Sequence, residues 1–208
     1  HVLAAIATIG LGLVAVACGS DDAQPASPSA DSTLPPVDDP VGFGAHVALA
    51  NSSRAVVGAR DEAVIYHRNG PRAGWSETAR LSFAGQGDLV AAEDATVVVS
   101  AYPDPRVRVF RLIDDQWTTV ATLRGRDTND GDGFGKAVDY SDGYVVVGAP
   151  DQADSHGASY LFAETPTGWV EQAKQVAGAP SYYFGNAVSI HKGTLVVGSW
   201  GSGAWCFE

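Results

Sequence analysis

Short apolar segments, separated by turns rich in Gly, Asp and Ser, recur along the chain from about residue 40 onward. Some alternate apolar and polar side chains, as in 169–175, which predicts a strand with one covered face. Others are apolar at consecutive positions, as in 144–148, which predicts a strand covered on both faces. No stretch outside the N-terminus has the period of an amphipathic helix. The pattern therefore predicts an all-β domain.

The apolar segments belong to a unit that occurs four times. One landmark glycine recurs at steps of 43, 48 and 50 residues, at Gly44, Gly87, Gly135 and Gly185. The third position of a Val-Val-Gly-Ala run recurs at steps of 42, 48 and 50 residues, at Gly58, Ser100, Gly148 and Gly198, with serine replacing glycine in the second unit. The spacings of these two positions change in parallel from unit to unit, which indicates a true repeat. A period of this length is typical of stacked units in solenoids or propellers.

Each unit contains four predicted strands. In the third unit they cover residues 137–140, 144–148, 159–162 and 169–175. The second of these strands is covered on both faces if each unit lies between two neighbours, as a propeller blade does. We therefore predict a β-propeller of four-stranded antiparallel blades, at about residues 40–82, 83–123, 124–176 and 177–208.

The third unit resembles the FG-GAP repeat. The resemblance is carried by Phe134-Gly135, by the run Val146-Val147-Gly148-Ala149-Pro150, by the aromatic-ended strand 157–162 and by Trp169. It extends over about residues 40–208 and implies the seven-bladed propeller of integrin alpha-subunit ectodomains and many bacterial surface proteins. The fourth unit stops after its third strand, so we expect the sequence to be a fragment of a longer chain that closes such a ring. A small propeller or a ring formed by several chains is the alternative.

The N-terminal segment predicts export and a lipid anchor. Residues 1–17 are almost uninterruptedly apolar but short for a membrane span, which is typical of a signal peptide. Small residues precede Cys18, which resembles the lipid-attachment cysteine of a bacterial lipobox, and residues 18–39 are predicted to form a Pro/Ser/Asp-rich, disordered tether. The predicted location is the bacterial cell envelope, at the outer membrane or cell surface. An ordinary signal peptide or an uncleaved anchor is the alternative.

Charge narrows the range of partners. The 208 residues include 24 Asp or Glu and 13 Lys or Arg, for a formal net charge of −11. The sequence has no basic patch that would neutralise phosphates, so nucleic acid is not an expected partner. The second cysteine, Cys206, lies in a predicted strand, and we expect it to be a buried, unreactive thiol, with a reactive or metal-binding thiol as the alternative.

The predicted binding surface is one loop face of the propeller. In an antiparallel meander the loops between the second and third strands lie at the same end as the connections between blades. Exposed loops on a rigid scaffold often carry binding residues. The candidates on this face are Arg60, Tyr102, Asp151, Asp154, Tyr182, Tyr183 and Trp200. The alternative is that these loops are ordinary solvated turns.

A metal site is considered for the acidic run before the third unit. Its weak candidates are Asp127, Asn129, Asp130 and Asp132. A calcium loop needs oxygen ligands at alternate positions and a glycine at the sixth, whereas here Gly131 takes the fifth position and Asp132 the sixth. The spacing favours an acidic turn between blades, and no cofactor is expected, with calcium as the alternative.

Signatures of catalysis are absent from the sequence. It contains no nucleophile elbow, phosphate-binding glycine loop or zinc-protease motif. Trp75, Trp117 and Trp169 recur at one blade position and are predicted to pack rather than to bind. The leading hypothesis is a non-catalytic, surface-tethered recognition or adhesion module for an extracellular protein or glycan. The alternatives are a lectin-like propeller that stacks sugars on the off-register aromatics, and the non-catalytic part of a larger secreted enzyme.

Overall fold

The structure is a computed structural model that describes residues 43–83, 89–100, 102–178, 181–201 and 203–207. These residues lie within one compact unit, Ser32–Glu208. The predicted signal peptide, the tether and Cys18 lie outside the described residues. In the part of the chain that is described, no helix has the length and apolar character needed to cross a membrane.

The described strands form four antiparallel sheets, which are the blades. Blade 1 contains β1 (Val47–Asn51), β2 (Arg54–Ala59), β3 (Glu62–His67) and β4 (Ser76–Ser82). Blade 2 contains β5 (Val90–Glu93), β6 (Thr96–Ser100), β7 (Val107–Ile113) and β8 (Gln116–Leu123). Blade 3 contains β9 (Ala137–Ser141), β10 (Tyr144–Ala149), β11 (Ala158–Thr165) and β12 (Gly168–Gln175), with the short turn α1 (Gln152–Ser155) after β10. Blade 4 contains β13 (Tyr182–His191), β14 (Thr194–Trp200) and β15 (Gly203–Phe207).

The blades are arranged as in a propeller. Within each sheet the strands follow chain order, so each blade is a meander. The first strands contact one another in succession, β1 with β5, β5 with β9 and β9 with β13, and therefore line a common hub. The predicted all-β propeller is confirmed, and the fourth described blade has three strands. The four strands predicted for the third unit are also confirmed, the third of them extending to Thr165.

Consecutive valines of a second strand face opposite neighbouring blades. Val145 and Val147 of β10 pack in the core shared with blade 2, whereas Val146 packs in the core shared with blade 4. All three are 0% exposed. The prediction that these strands are covered on both faces is confirmed, and burial of their side chains is a main source of stability.

The tryptophans at the start of each fourth strand pack against these cores. Trp75, Trp117 and Trp169 are each partly buried against a separate core cluster. The guanidinium groups of Arg68 and Arg54 lie over the rings of Trp75 and Trp117, at 4.8 and 5.5 Å from the ring centroids. The prediction that these tryptophans are packing residues is confirmed.

The Phe-Gly and Val-Gly signatures join the strands at the hub. Phe134 is buried with its ring edge-on to Tyr160. Gly135 has a φ of +94° and donates its N–H to the carbonyl of Gly148 at 2.9 Å. A Cβ on Gly148 would collide with the carbonyl oxygen of Gly185 in the next blade. These repeated residues therefore have a structural role. Residues that bind a partner are expected among those that differ between units.

The expectation that Cys206 is buried is wrong. Cys206 is exposed on β15, directly across the ladder from Val196. Val196 is 38% exposed, although the equivalent Val146 of blade 3 is fully buried. Both side chains lie on the face of blade 4 that points away from blade 3, and no described blade covers that face. The expectation of burial assumed that blade 4 has a neighbouring blade on each face.

Candidate functional site

Side chains from three blades meet at one end of the propeller. They are Tyr102 of blade 2, Lys136, Asp151 and His156 of blade 3, and Tyr182, Tyr183 and Trp200 of blade 4. We call this set the aromatic rim. Most of it comes from connections between second and third strands or between blades, which a meander places at the same end.

A charged pair lies at the centre of the aromatic rim. Lys136 donates a hydrogen bond from Nζ to Oδ2 of Asp151, and the same Nζ lies 5.2 Å from the ring centroid of Tyr102. The hydrogen bond to Asp151 is the main cause that raises the pKa of Lys136, and Tyr102 and Tyr183 act in the same direction. Lys136 therefore remains an ammonium group near neutral pH, and the pair has no net charge.

Exposed aromatic rings flank the charged pair. Trp200 is 66% exposed and Tyr182 is 63% exposed. Tyr183 and Trp200 are perpendicular, with ring centroids 5.8 Å apart, and His156 stacks on Tyr182 with an interplanar angle of 22°. The rings hold one another in fixed orientations while leaving aromatic surface open to solvent.

An irregular strand start orients the two tyrosines. The sequence predicts Tyr182 and Tyr183 in a connection between blades, but both belong to β13, whose pairing with β14 shifts register between Tyr182 and Ala187. Tyr183 has a φ of +57°, a conformation that costs a non-glycine residue about 1–3 kcal/mol. Ser199 donates a hydrogen bond from Oγ to the Tyr182 carbonyl at 2.8 Å. The surrounding structure therefore imposes the orientation of these rings.

A left-handed turn presents His156. Ala153, Asp154 and Ser155 of α1 all have positive φ values, and the His156 carbonyl accepts hydrogen bonds from Phe184 N–H at 3.1 Å and Ser181 Oγ at 3.2 Å. The turn of blade 3 is thus tied directly to the first strand of blade 4. This tie joins the two halves of the aromatic rim.

The structure brings together five of the seven residues that the sequence indicated. Tyr102, Asp151, Tyr182, Tyr183 and Trp200 all belong to the aromatic rim. Asp154 is exposed in the α1 turn next to this set. Arg60 is exposed on blade 1, in the turn between β2 and β3.

Lys136 and His156 belong to the aromatic rim but are not among the candidates that the sequence indicates. Lys136 directly follows the Phe-Gly signature, so its position at the rim could have been inferred from the repeat. His156 stacks on Tyr182, an aromatic ring from the next blade. That contact joins two blades and has no local sequence signal.

The acidic run before blade 3 is tied to protein donors. Asp127 accepts hydrogen bonds from Tyr160 Oη and Lys174 Nζ, each at 2.7 Å, and the bond from Lys174 is the main cause that lowers the pKa of Asp127. Asp132 accepts from the Asn129 N–H at 2.8 Å and from Gln152 Nε2 at 3.2 Å.

The remaining acidic candidate also faces a cation of the protein. Asp130 lies 3.5 Å from the guanidinium of Arg124. Within the described ranges, no group of three or more His, Cys, Asp or Glu side chains is arranged to hold a metal ion. The contacts of Asp127, Asn129, Asp130 and Asp132 fit an acidic turn that joins blades 2 and 3.

Comparisons with known proteins agree with the repeat. The FG-GAP repeat family model matches residues 117–162, from β8 of blade 2 to β11 of blade 3, which confirms the resemblance over that stretch. No curated protein sequence matches the chain. Among solved structures, the crystal structure of Myxococcus xanthus glutaminyl cyclase is similar, with a TM-score of 0.44 and 10% identity over 75% of this chain. The chain spans 61% of that protein's length, and so distant a likeness supports no statement about activity.

Proposed function

Because the chain carries an FG-GAP repeat within a propeller, we propose that it is a non-catalytic recognition module that binds an extracellular partner through the aromatic rim. The observation that carries the proposal is the exposure of Trp200 and Tyr182, 66% and 63%, although each of these rings is held by a neighbouring ring, Trp200 by Tyr183 and Tyr182 by His156. Exposed aromatic residues at fixed orientations are typical of binding surfaces, because their burial by a partner releases water at little entropic cost.

The chemistry of the rim favours binding over catalysis. A general base works best with a pKa near the operating pH. The pKa of Lys136 is raised by Asp151, so its amine is a poor base at neutral pH. The Nδ1 atom of His156 lies 2.7 Å from the Ala153 carbonyl, and the ring stacks on Tyr182. These contacts suit a fixed recognition surface.

Tethering to the cell envelope is the second part of the proposal. It rests on the apolar segment 2–17 and on the small residues that precede Cys18. A lipidated cysteine would hold the propeller at the membrane through two or more acyl chains, since a single chain gives only reversible binding.

The anchor is tested by expressing the chain with its complete N-terminal leader in a bacterial host and feeding labelled palmitate. We expect label in the membrane-bound protein and its loss, with release from the membrane, in Cys18→Ser. Cys206→Ser is the matched control and should keep the label. Labelling of Cys18→Ser equal to that of the unaltered protein would refute the lipid anchor.

Recognition is tested with arrays of purified glycans and of purified secreted proteins, probed with the soluble chain. We expect binding to at least one array, loss of that binding in the double variant Tyr182→Ala/Trp200→Ala, and retention in Tyr144→Ala. Tyr144 is an exposed tyrosine at the start of β10, at the other end of the propeller, so it controls for the loss of surface aromatic area. Equal binding by the double variant and the control would show that the aromatic rim is not the binding surface.

A further inference from the structure

We propose that the aromatic rim binds a carbohydrate, namely a neutral pyranose unit that stacks on Trp200 and forms hydrogen bonds with the Lys136–Asp151 pair. This inference rests on the proposed function, because it names the ligand class of the same surface. It is carried by an open aromatic face, Trp200, and a compensated charged pair, Lys136–Asp151, which belong to the same rim and are linked through Tyr183: the Tyr183 ring contacts Trp200, and its hydroxyl group acts electrostatically on Lys136.

The aromatic part matches the apolar face of a sugar ring. A pyranose presents C–H groups on its faces and hydroxyl groups around its edge. Trp200 offers the largest exposed ring of the set, and the perpendicular Tyr183 braces it from the side. Tyr182 exposes a second ring, which His156 backs by stacking. Such rings offer apolar area to C–H groups while their polar tips stay hydrated.

The polar part matches the hydroxyl edge of the ring. Asp151 uses Oδ2 to accept from Lys136, and a carboxylate has further lone pairs that accept from hydroxyl groups. An ammonium group has three donors, of which the bond to Asp151 uses one. The pair can therefore donate to one hydroxyl and accept from its neighbour, as vicinal hydroxyl groups require.

The charge distribution favours a neutral carbohydrate over an anionic one. Lys136 is compensated by Asp151, so the rim offers no unpaired cation at its centre. The chain as a whole has a formal net charge of −11, which repels polyanions at a distance.

A small polar ligand fits the rim better than a protein surface does. A stable protein interface buries about 1,200–2,000 Å² and has an apolar, well-packed centre. At the aromatic rim the Lys136 ammonium group lies over the Tyr102 ring and binds Asp151, so charged groups occupy part of the surface that the centre of a protein interface would need to be apolar. Its rings are also pre-oriented by Ser199 and by the strained backbone of Tyr183, which lowers the entropic cost of binding a small ligand.

The experiment titrates the purified chain, without its lipid anchor, with neutral oligosaccharides of glucose, mannose, galactose and N-acetylglucosamine. Binding is measured by calorimetry and by tryptophan fluorescence. Sulfated and carboxylated oligosaccharides and the array of secreted proteins form the comparison arms. We expect at least one neutral oligosaccharide to bind and the affinity to fall by about tenfold or more in Trp200→Ala. Asp151→Asn should weaken the same ligand by a smaller factor, of about threefold to tenfold, because it alters one acceptor.

Two further variants separate stacking from a loss of structure. Trp200→Phe keeps an aromatic face and should retain binding within about threefold, while removing the fluorescence change that comes from Trp200. Tyr144→Ala should bind as the unaltered chain does. Retention of affinity in Trp200→Ala would overturn the inference.

The comparison arms distinguish this inference from the function on which it rests. Binding to secreted proteins that depends on Tyr182 and Trp200, without binding to any neutral oligosaccharide, would overturn the carbohydrate inference and leave the recognition function standing. Preference for sulfated or carboxylated oligosaccharides would also overturn it. If neither glycans nor proteins bind through the rim, both proposals are refuted.

Discussion

The two ends of the propeller use their side chains in opposite ways. At the aromatic rim, Trp200 and Tyr182 leave most of their surface open to solvent. At the other end, which we call the opposite rim, charged side chains of one blade bind groups of the next. The opposite rim comprises Arg54, Glu93, Asp94, Arg111, Asp142 and Glu164.

The opposite rim connects blade 1 to blade 2 and blade 2 to blade 3. Arg111 of blade 2 donates two hydrogen bonds to Glu164 of blade 3, at 2.7 and 2.6 Å. Glu93 of blade 2 accepts from the N–H of Asp142 in blade 3 at 2.7 Å. Arg54 of blade 1 donates to the Asp94 carbonyl of blade 2 at 2.6 Å. Each of these bonds joins a charged residue of one blade to a group of the next blade.

The difference indicates how one scaffold separates stability from recognition. Polar groups that form hydrogen bonds with each other across blades replace the hydrogen bonds to water that they lose on folding, and they hold neighbouring blades together. Exposed aromatic rings contribute little to folding, because their surface stays in contact with water, and they gain free energy only when a partner covers them. The comparison predicts that changes at the opposite rim alter stability and that changes at the aromatic rim alter binding.

The largest effect should come from the hub that supports both rims. In Gly148→Ala the new Cβ would collide with the Gly185 carbonyl, which is backbone and cannot move without shifting blade 4. We expect a loss of about 1–3 kcal/mol in the free energy of unfolding, together with loss of ligand binding. Chemical denaturation with intrinsic fluorescence measures it.

Gly74→Ala is the matched control for the hub. Nothing lies within 4 Å of the position that its Cβ would take. Its free energy of unfolding should stay within about 0.5 kcal/mol of the unaltered chain. An equal loss of stability in both variants would mean that the close approach of blades 3 and 4 is not the reason that position 148 requires glycine.

An intermediate effect is expected at the opposite rim. The Arg111 guanidinium, through its hydrogen bonds, holds the pKa of Glu164 below the ordinary value of 4.5. Both side chains are about one third exposed, so Glu164→Gln should cost about 0.5–1 kcal/mol near neutral pH. Binding at the aromatic rim should be unchanged.

The pH dependence of this pair has a defined sign. A carboxyl group whose pKa is lower in the folded state stabilises the fold above its unfolded pKa, and that stabilisation is lost as the pH falls through the folded value. The stability difference between the unaltered chain and Glu164→Gln should therefore shrink as the pH falls below about 4.5. Denaturation curves at a series of acidic pH values measure it, and a difference that grows on acidification would contradict the assignment.

The smallest effect on stability should come from the aromatic rim. Trp200→Ala is expected to change the free energy of unfolding by no more than about 0.5 kcal/mol, because the indole is mostly exposed. Thermal unfolding of Trp200→Ala beside Glu164→Gln tests the comparison directly. A larger loss of stability in Trp200→Ala would show that the aromatic residues of this rim are structural. Stability and recognition would then not be divided between the two ends of the propeller.

Much of the scaffold was predictable because its signals are local. The apolar run at β10 and the alternation at β12 each identify a strand from a few neighbouring residues. The repeat then extends these assignments to the other units. The prediction was wrong at Cys206, because burial on the second face of a strand depends on a neighbouring blade that the strand pattern does not encode.

The candidate site was predictable only in outline. Antiparallel connectivity indicated which connections share one end of the propeller, and Tyr102, Asp151 and Trp200, which it selected, all belong to the aromatic rim. It did not indicate Lys136 or His156, whose contacts with Tyr102 and Tyr182 join different blades. Such contacts depend on how blades are rotated against each other.

The sequence by itself determined the strands, their order and the glycines at the hub, since period, alternation and turn residues act over a few positions. Only the tertiary structure decided which of the residues that differ between units contact one another and how their side chains are oriented. Gly135 and Gly148 follow from the repeat, whereas the positive φ of Tyr183 and its perpendicular contact with Trp200 do not. The physical reason is that a side chain's partner across a blade boundary is set by packing of whole sheets, which no local pattern records.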